Sequence, residues 1–194
     1  MKISFPEDFL RSYGEQSNKS DSFRSHAANT QYTFSLESHP NDSIGYIIGP
    51  KDPCEKITIG DLTIQLNSKL KRIAEAIQDS SFILDLKEGW GENGKPIDND
   101  IFVASIMLLH GYATKIFQEG AILPTPEINP VRDGSIDMVW RSEKGYFATN
   151  IAKKNDSLLG TFFCYGKGKP SKEGQIDIDA VEKSMAILMI ETLL

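Results

Sequence analysis

Six aspartates fall in three close pairs: Asp98 with Asp100, Asp133 with Asp137, and Asp177 with Asp179. Paired carboxylates are what a metal-dependent hydrolase or nuclease uses to hold a divalent cation and activate water. Asp98 and Asp177 stand where helices should begin, and Asp133 precedes a glycine in turn chemistry. Only Asp137, together with Glu127, could share one sheet surface as a metal pair. His26, His39 and His110 are the candidate general bases. The first two fall in polar linker and turn sequence. His110 lies beside an apolar helical stripe, where a partly buried, hydrogen-bonded imidazole is the expected state. Cys164, in a strand pattern, is the available thiol partner, but no spacing ties it to His110. Neither Cys54 nor Cys164 has a second cysteine or a histidine at metal-ligand spacing. No catalytic constellation, metal site or cofactor is therefore expected.

The segment GWGENGK, residues 89–95, invites comparison with a phosphate loop. A Walker loop needs four residues between its glycines and Lys-Ser/Thr at the mouth of a helix. Here the glycine spacing differs and Pro96 follows Lys95, so a glycine-permitted turn is expected, with Trp90 plugging a gap between two helices. Lys153, Lys154, Lys167, Lys169 and Lys172 make a small basic region with little arginine nearby. That gives scant support for bidentate phosphate or base recognition. Phe147, Phe162, Phe163 and Tyr165 could form a stacking platform as in single-strand binders. In an acidic chain they read better as core under the last helix.

The elements that would position these residues are legible from periodicity. Residues 1–30 read as a short helix beginning at Pro6 and a polar linker over residues 14–30. Tyr32, Phe34 and Leu36, then Ile44, Tyr46 and Ile48, alternate as a hairpin. Residues 57–66 form a second hairpin around Gly60-Asp61, so hairpins occupy residues 31–66. Helices follow over residues 67–120. Asn67 is an N-cap for a helix carrying Leu70, Ile73, Ala74 and Ile77. Asp98 caps a second helix, whose stripe is Phe102, Ile106, Leu109, Ala113 and Ile116. Residues 124–165 read as a four-stranded antiparallel meander, with an edge strand boxed by Pro126 and Pro130. GKGKPSKEG is a flexible basic loop before a C-terminal helix in residues 176–194. Strands, helices, meander and helix in segregated runs specify an α+β domain over residues 31–194, not a doubly wound α/β fold. Trp90 and Trp140 should both be substantially buried.

The pattern made by Gly89, Trp90, Gly91, Gly94, Pro96 and Ile97, then Pro126, Ile128, Pro130, Asp133, Gly134, Ile136 and Trp140, resembles a group of small uncharacterised bacterial proteins. In those proteins a GWDG-like turn precedes a helix, and a proline-bounded strand leads into a second strand ending in Trp. The likeness spans about residues 84–141. It implies a shared fold module and supplies no activity. Gly91 stands where the family's usual aspartate follows the tryptophan.

Apolar residues at 40% and a length of 194 allow a real core. The formal charge of -6 disfavours phosphate backbones. The start, MKISFPEDFLRSYGEQ, has no signal-peptide pattern, and residues 101–117 and 180–194 are expected to fall short of a membrane span. These features suit a cytoplasmic protein. The last helix, ending AILMIETLL, is apolar almost all round, and Met189 and Leu194 stand about 140° apart on it. Met189, Ile190, Leu193 and Leu194 are therefore the expected interface of a homodimer or heteromeric contact. The leading reading is a non-catalytic protein-binding module, an accessory, immunity-like or antitoxin-like subunit of a bacterial complex. A small metal-dependent hydrolase or nuclease and a nucleic-acid-binding protein are the alternatives, and no membrane partner is expected.

Overall fold

A two-stranded hairpin leads the chain into its helices. The computed structural model describes residues 53–194, all within one unit spanning residues 36–194. The short helix from Pro6, the polar linker, the first hairpin, His26 and His39 lie outside the described residues. Strands β1 (Cys54–Ile59) and β2 (Leu62–Asn67) pair antiparallel, with Ile57 opposite Ile64. Gly60, at φ 56, makes the turn, a conformation glycine adopts at no steric cost. The inward positions Ile57, Ile59, Ile64 and Leu66 are buried. Asn67 Oδ1 accepts from the Lys69 amide at 2.9 Å, so the expected cap is present. It opens a 3-10 turn that continues into helix α1 (Lys71–Asp79). A second 3-10 segment, Ser80–Asp85, occupies the stretch expected to be extended or turn.

Helix α2 (Asn99–Gln118) is the central element of the core, burying Phe102, Ile106, Leu109, Ala113 and Ile116 among others. It ends at Gly120, φ 84, where the Ala121 amide returns to the Ile116 carbonyl at 3.1 Å in a Schellman closure. The expectation that this stretch falls short of a membrane span is corrected, because its 20 residues reach that length and apolarity. Its contacts with β2 and with the main sheet place it as a core helix of the domain.

The main sheet is antiparallel throughout, in the order β3 (Glu127–Pro130), β4 (Ile136–Arg141), β5 (Gly145–Lys154), β6 (Ser157–Gly166), β7 (Lys172–Ile176). The four-stranded meander is thus present and a fifth strand extends it. The loop expected over GKGKPSKEG gives up its last residues to β7, which pairs with Gly160–Cys164 of β6. KEGQI has no apolar alternation to announce a strand, and only Ile176 is buried. Its pairing comes from backbone hydrogen bonds at a sheet edge. Helix α3 (Lys183–Leu193) packs with α2 against the inner face of the sheet, over Met138, Trp140, Phe147, Ile151 and Cys164. The fold is α+β.

Candidate functional site

Register divides the sheet into two faces, and the face turned away from α2 and α3 carries its own small core. Partner residues in an antiparallel pair share a face. Val139 stands opposite Ala148, and Ala148 opposite Phe163. Arg141 stands opposite Tyr146, and Tyr146 opposite Tyr165. Val139, Tyr146 and Ala148 are buried, Phe163 packs on them, and this cluster is separate from the main core. The Tyr146 and Tyr165 rings stack at 5.3 Å and 13°, and Phe163 meets both edge-on. The Arg141 guanidinium lies 5.7 Å from the Tyr146 ring centre and pairs with Glu127. Tyr165 is 47% exposed at the rim. Burial pushes the Tyr146 hydroxyl above its ordinary range, against the opposing pull of Arg141.

One register row further along the same face is polar. Asn129, Asp137, Asn150, Thr161 and Gln175 stand opposite one another, one from each strand. Asn150 Nδ2 donates to Asp137 Oδ1 at 2.7 Å and to Ser135 Oγ at 2.9 Å. Ser135 Oγ donates in turn to Asp133 Oδ1 at 2.7 Å, and the Ser135 amide does so at 3.0 Å. Asp137 is half-buried, and its carboxyl is pushed up to about 6. Burial is the main cause and the Asp133 charge adds to it, while the Asn150 hydrogen bond opposes them. No cation pairs with Asp137 among the described residues.

The catalytic candidates are not brought together. Glu127 stands opposite Val139, one row from Asp137, and its carboxylate is held by Arg141. His110 is half-buried on α2, with Nε2 2.9 Å from the Gln65 carbonyl oxygen on β2, as a hydrogen-bonded imidazole was expected to be. It belongs to the helical side of the sheet, away from the Asp137 face. Cys164 is on the inner face, its thiol raised by burial despite the Thr192 hydroxyl and Lys172. Asp98 and Asp100 lie at the start of α2 and both pair with Lys153. Asp177 accepts from the Asp179 amide at 2.9 Å in a turn. No group of three His, Cys, Asp or Glu side chains is placed to hold a metal among the described residues.

The structural residues of the sequence pattern do converge. Gly89 at φ 86 and Gly91 at φ 54 curl the chain so that Trp90 folds over Gly94. Trp90 is half-buried, less than expected, and closes its own loop, with Nε1 donating to the Lys95 carbonyl at 2.6 Å. That loop docks on the Asp133-Gly134 turn. The Lys95 amide donates to the Arg132 carbonyl at 2.9 Å, and Glu92 pairs with Arg132 at 3.1 Å. Gly134, φ 94, lets the turn approach the Pro96 carbonyl. Trp140, 2% exposed, is on the inner face, edge-on to Phe147.

The four aromatics weighed as one platform are split by strand alternation. Phe147 and Phe162 stack at 5.9 Å on the inner face, and Phe163 and Tyr165 point to the outer one. The outer cluster was missed by sequence reasoning, though its signal was present: in Tyr146-Phe147-Ala148 both parities of one strand are apolar. On the last helix Met189 and Leu193 are buried in the domain's own core, and Ile190 and Leu194 are half-buried against it. The exposed apolar residue of this helix is Ile187, at 44%.

No protein-family model matches the chain, and no curated protein or solved structure matches it either.

Proposed function

We propose that the protein is a non-catalytic protein-binding module, an accessory subunit of the immunity-like or antitoxin-like kind in a cytoplasmic bacterial complex, docking through the outer face of its sheet. The observation that carries this reading is the half-exposed Tyr165 ring, stacked on Tyr146 at the rim of a sheet face that none of the described helices covers. Tyrosine and arginine around a small apolar floor, rimmed by charged side chains, is the composition of interface hot spots. The scattered positions of His110, Glu127 and Cys164 favour binding over hydrolysis. The test is a photo-crosslinking residue placed at position 165 and, as a control, at exposed Glu75 on α1, in the native host. One dominant adduct from position 165 alone, lost when Tyr146 is changed to Ala in the same chain, supports the reading. Equal labelling from both sites overturns it.

Self-association through the last helix is the second reading, favoured by exposed Ile187 beside half-buried Ile190 and Leu194. A stable dimer needs on the order of 1,200–2,000 Å² in total, so neighbouring surface must contribute. Sedimentation should show a dimer that Ile187→Glu converts to monomer. A monomer at high concentration removes this reading.

A further inference from the structure

The two edges of the main sheet differ. Strand β3 carries Pro130 within it, and helix α1 and the 3-10 segment Ser80–Asp85 lie against it. A proline cannot donate to an added strand, so that edge resists extension. Strand β7 ends the sheet on the other side. Its five residues include no proline, and no strand pairs with its outer edge among the described residues. Lys172, Glu173 and Gln175 are exposed and Gly174 is partly so. The chain around this strand is divided by sign of charge. Lys167, Lys169 and Lys172 come before its centre, and Asp177, Asp179 and Glu182 come after it, all of them exposed. None of them takes part in an ion pair among the described residues.

We propose that β7 is the seam of a homodimer, pairing antiparallel with β7 of a second copy across a two-fold axis at Gly174 and joining the two sheets into one. This goes beyond docking through the outer face, since it uses the sheet edge. An antiparallel pair lays the start of one strand beside the end of the other. The basic flank of each copy, Lys167 to Lys172, then lies along the acidic flank of the other, Asp177 to Glu182, so the charge pattern is self-complementary. Symmetry and the pleat restrict the register. A two-fold axis normal to the sheet keeps each residue on its own face, and opposed residues share a face. Centring on Gly174 sets Lys172 opposite Ile176 of the partner subunit, and Glu173 opposite Gln175 of the partner subunit. Moving the centre by one residue opposes Glu173 to its own copy in one direction and to the partner's Asp177 in the other, both unfavourable. Gly174 leaves the axis itself free of side chains. Lysine and proline discourage edge pairing, but Pro170 precedes the strand and Lys172 opposes no like charge in this register. The seam alone buries less than the roughly 1,200–2,000 Å² of a stable dimer. The two-fold axis sets the α3 helices of both copies on one side of the joined sheet, where exposed Val181 and Ile187 add to it.

The test is sedimentation equilibrium of the full chain and its variants. The unaltered chain should dimerise. Gln175→Glu sets like charges opposite one another on both sides of the axis and should weaken the dimer about tenfold, whereas Gln175→Lys faces Glu173 of the partner subunit and should tighten it by a similar factor. Position 175 is exposed on an edge strand, so neither change disturbs the core. Any pattern other than that opposed pair of shifts overturns the proposal, and so does a monomer at high concentration. Hydrogen exchange gives a second readout. The amide of Glu173 or of Gly174, whichever faces the edge, should gain protection as concentration rises through the Kd, while Ala148 in mid-sheet does not change. Protection in β7 that is independent of concentration overturns the seam. Ile187→Glu separates it from self-association through the last helix alone. A dimer abolished by Ile187→Glu and indifferent to both changes at position 175 sinks this inference and leaves the helix reading standing.

Discussion

Asn150 Nδ2 holds Asp137 Oδ1 at 2.7 Å, and that hydrogen bond is outweighed by burial of the carboxyl it serves. The group titrates near 6 in the folded chain, against 3.8 as a free side chain. The raised value fixes the sign of its effect on stability. Its favourable contribution is fully present below about pH 3.8 and is lost as pH rises through about 6. At neutral pH the ionised Asp137 therefore costs the fold free energy, at most about 3 kcal/mol.

Asp137→Asn keeps an oxygen for the Asn150 amide and removes the charge. It should raise stability at pH 7.5 by about 1–2 kcal/mol in urea unfolding. The difference from wild type should shrink between pH 6 and pH 4. A variant less stable than wild type at pH 7.5 would mean that Asp137 is stabilised by a charge partner in the free protein.

Gly145 opens β5 under the end of α3. A Cβ there would lie 2.5 Å from the Tyr165 carbonyl oxygen, 2.6 Å from that of Thr192 and 3.0 Å from the Gly166 Cα. All three are backbone atoms, on a neighbouring strand and the last helical turn, so no side chain can swing aside. Gly145→Ala should cost about 2–4 kcal/mol. Gly120→Ala has open space around its Cβ and only a φ of 84 to contend with, and should cost about 1 kcal/mol. Comparable losses of thermal midpoint in the two variants would refute the packing argument at Gly145.

The fold was legible where side chains announce their period. Phe102, Ile106, Leu109, Ala113 and Ile116 marked α2, and Ile136, Met138 and Trp140 marked β4, because a buried face imposes its spacing on the sequence. Strand β7 was not legible, since Lys172, Glu173 and Gln175 show no apolar alternation and the strand reaches the core only through Ile176, the rest being held by backbone pairing. The pairing of the Gly-Trp-Gly loop with the Asp133-Gly134 turn joins residues far apart in sequence through a main-chain bond, which carries no residue signature. The candidate site was half visible. Asp137 and Glu127 were correctly placed on one face, but the single-row offset that gives Glu127 to Arg141 depends on register.

The two thiols should differ in reactivity. Cys54 is exposed on β1, whereas Cys164 is buried under α3 with its thiol raised. Thiolate is the reacting species, so burial and a raised titration both slow attack. Native protein should release the colour of one thiol with Ellman's reagent at pH 8 and of both in guanidinium. Rapid modification of Cys164 in the native state would show that α3 lifts from the sheet far more often than its packing implies.

Trp90 is held by a single strong polar contact at the surface, its indole Nε1 donating to the Lys95 carbonyl at 2.6 Å while the ring covers Gly94. The loop it closes bears on the β3–β4 turn through Lys95, Arg132 and Glu92. Trp90→Phe retains an aromatic ring over Gly94 and loses the donor, so it should cost about 1 kcal/mol of stability. The exposed Arg132–Glu92 pair should add less than that to the loop's hold. The variant also leaves Trp140 as the sole indole, buried against Phe147, so its unfolding can be followed by fluorescence alone. Hydrogen exchange then localises the effect: the Lys95 amide, bonded to Arg132, should lose protection in Trp90→Phe while the Ala148 amide in mid-sheet keeps its own. Equal loss at both positions would show that the loop is part of the cooperative core and not a closure added to its edge.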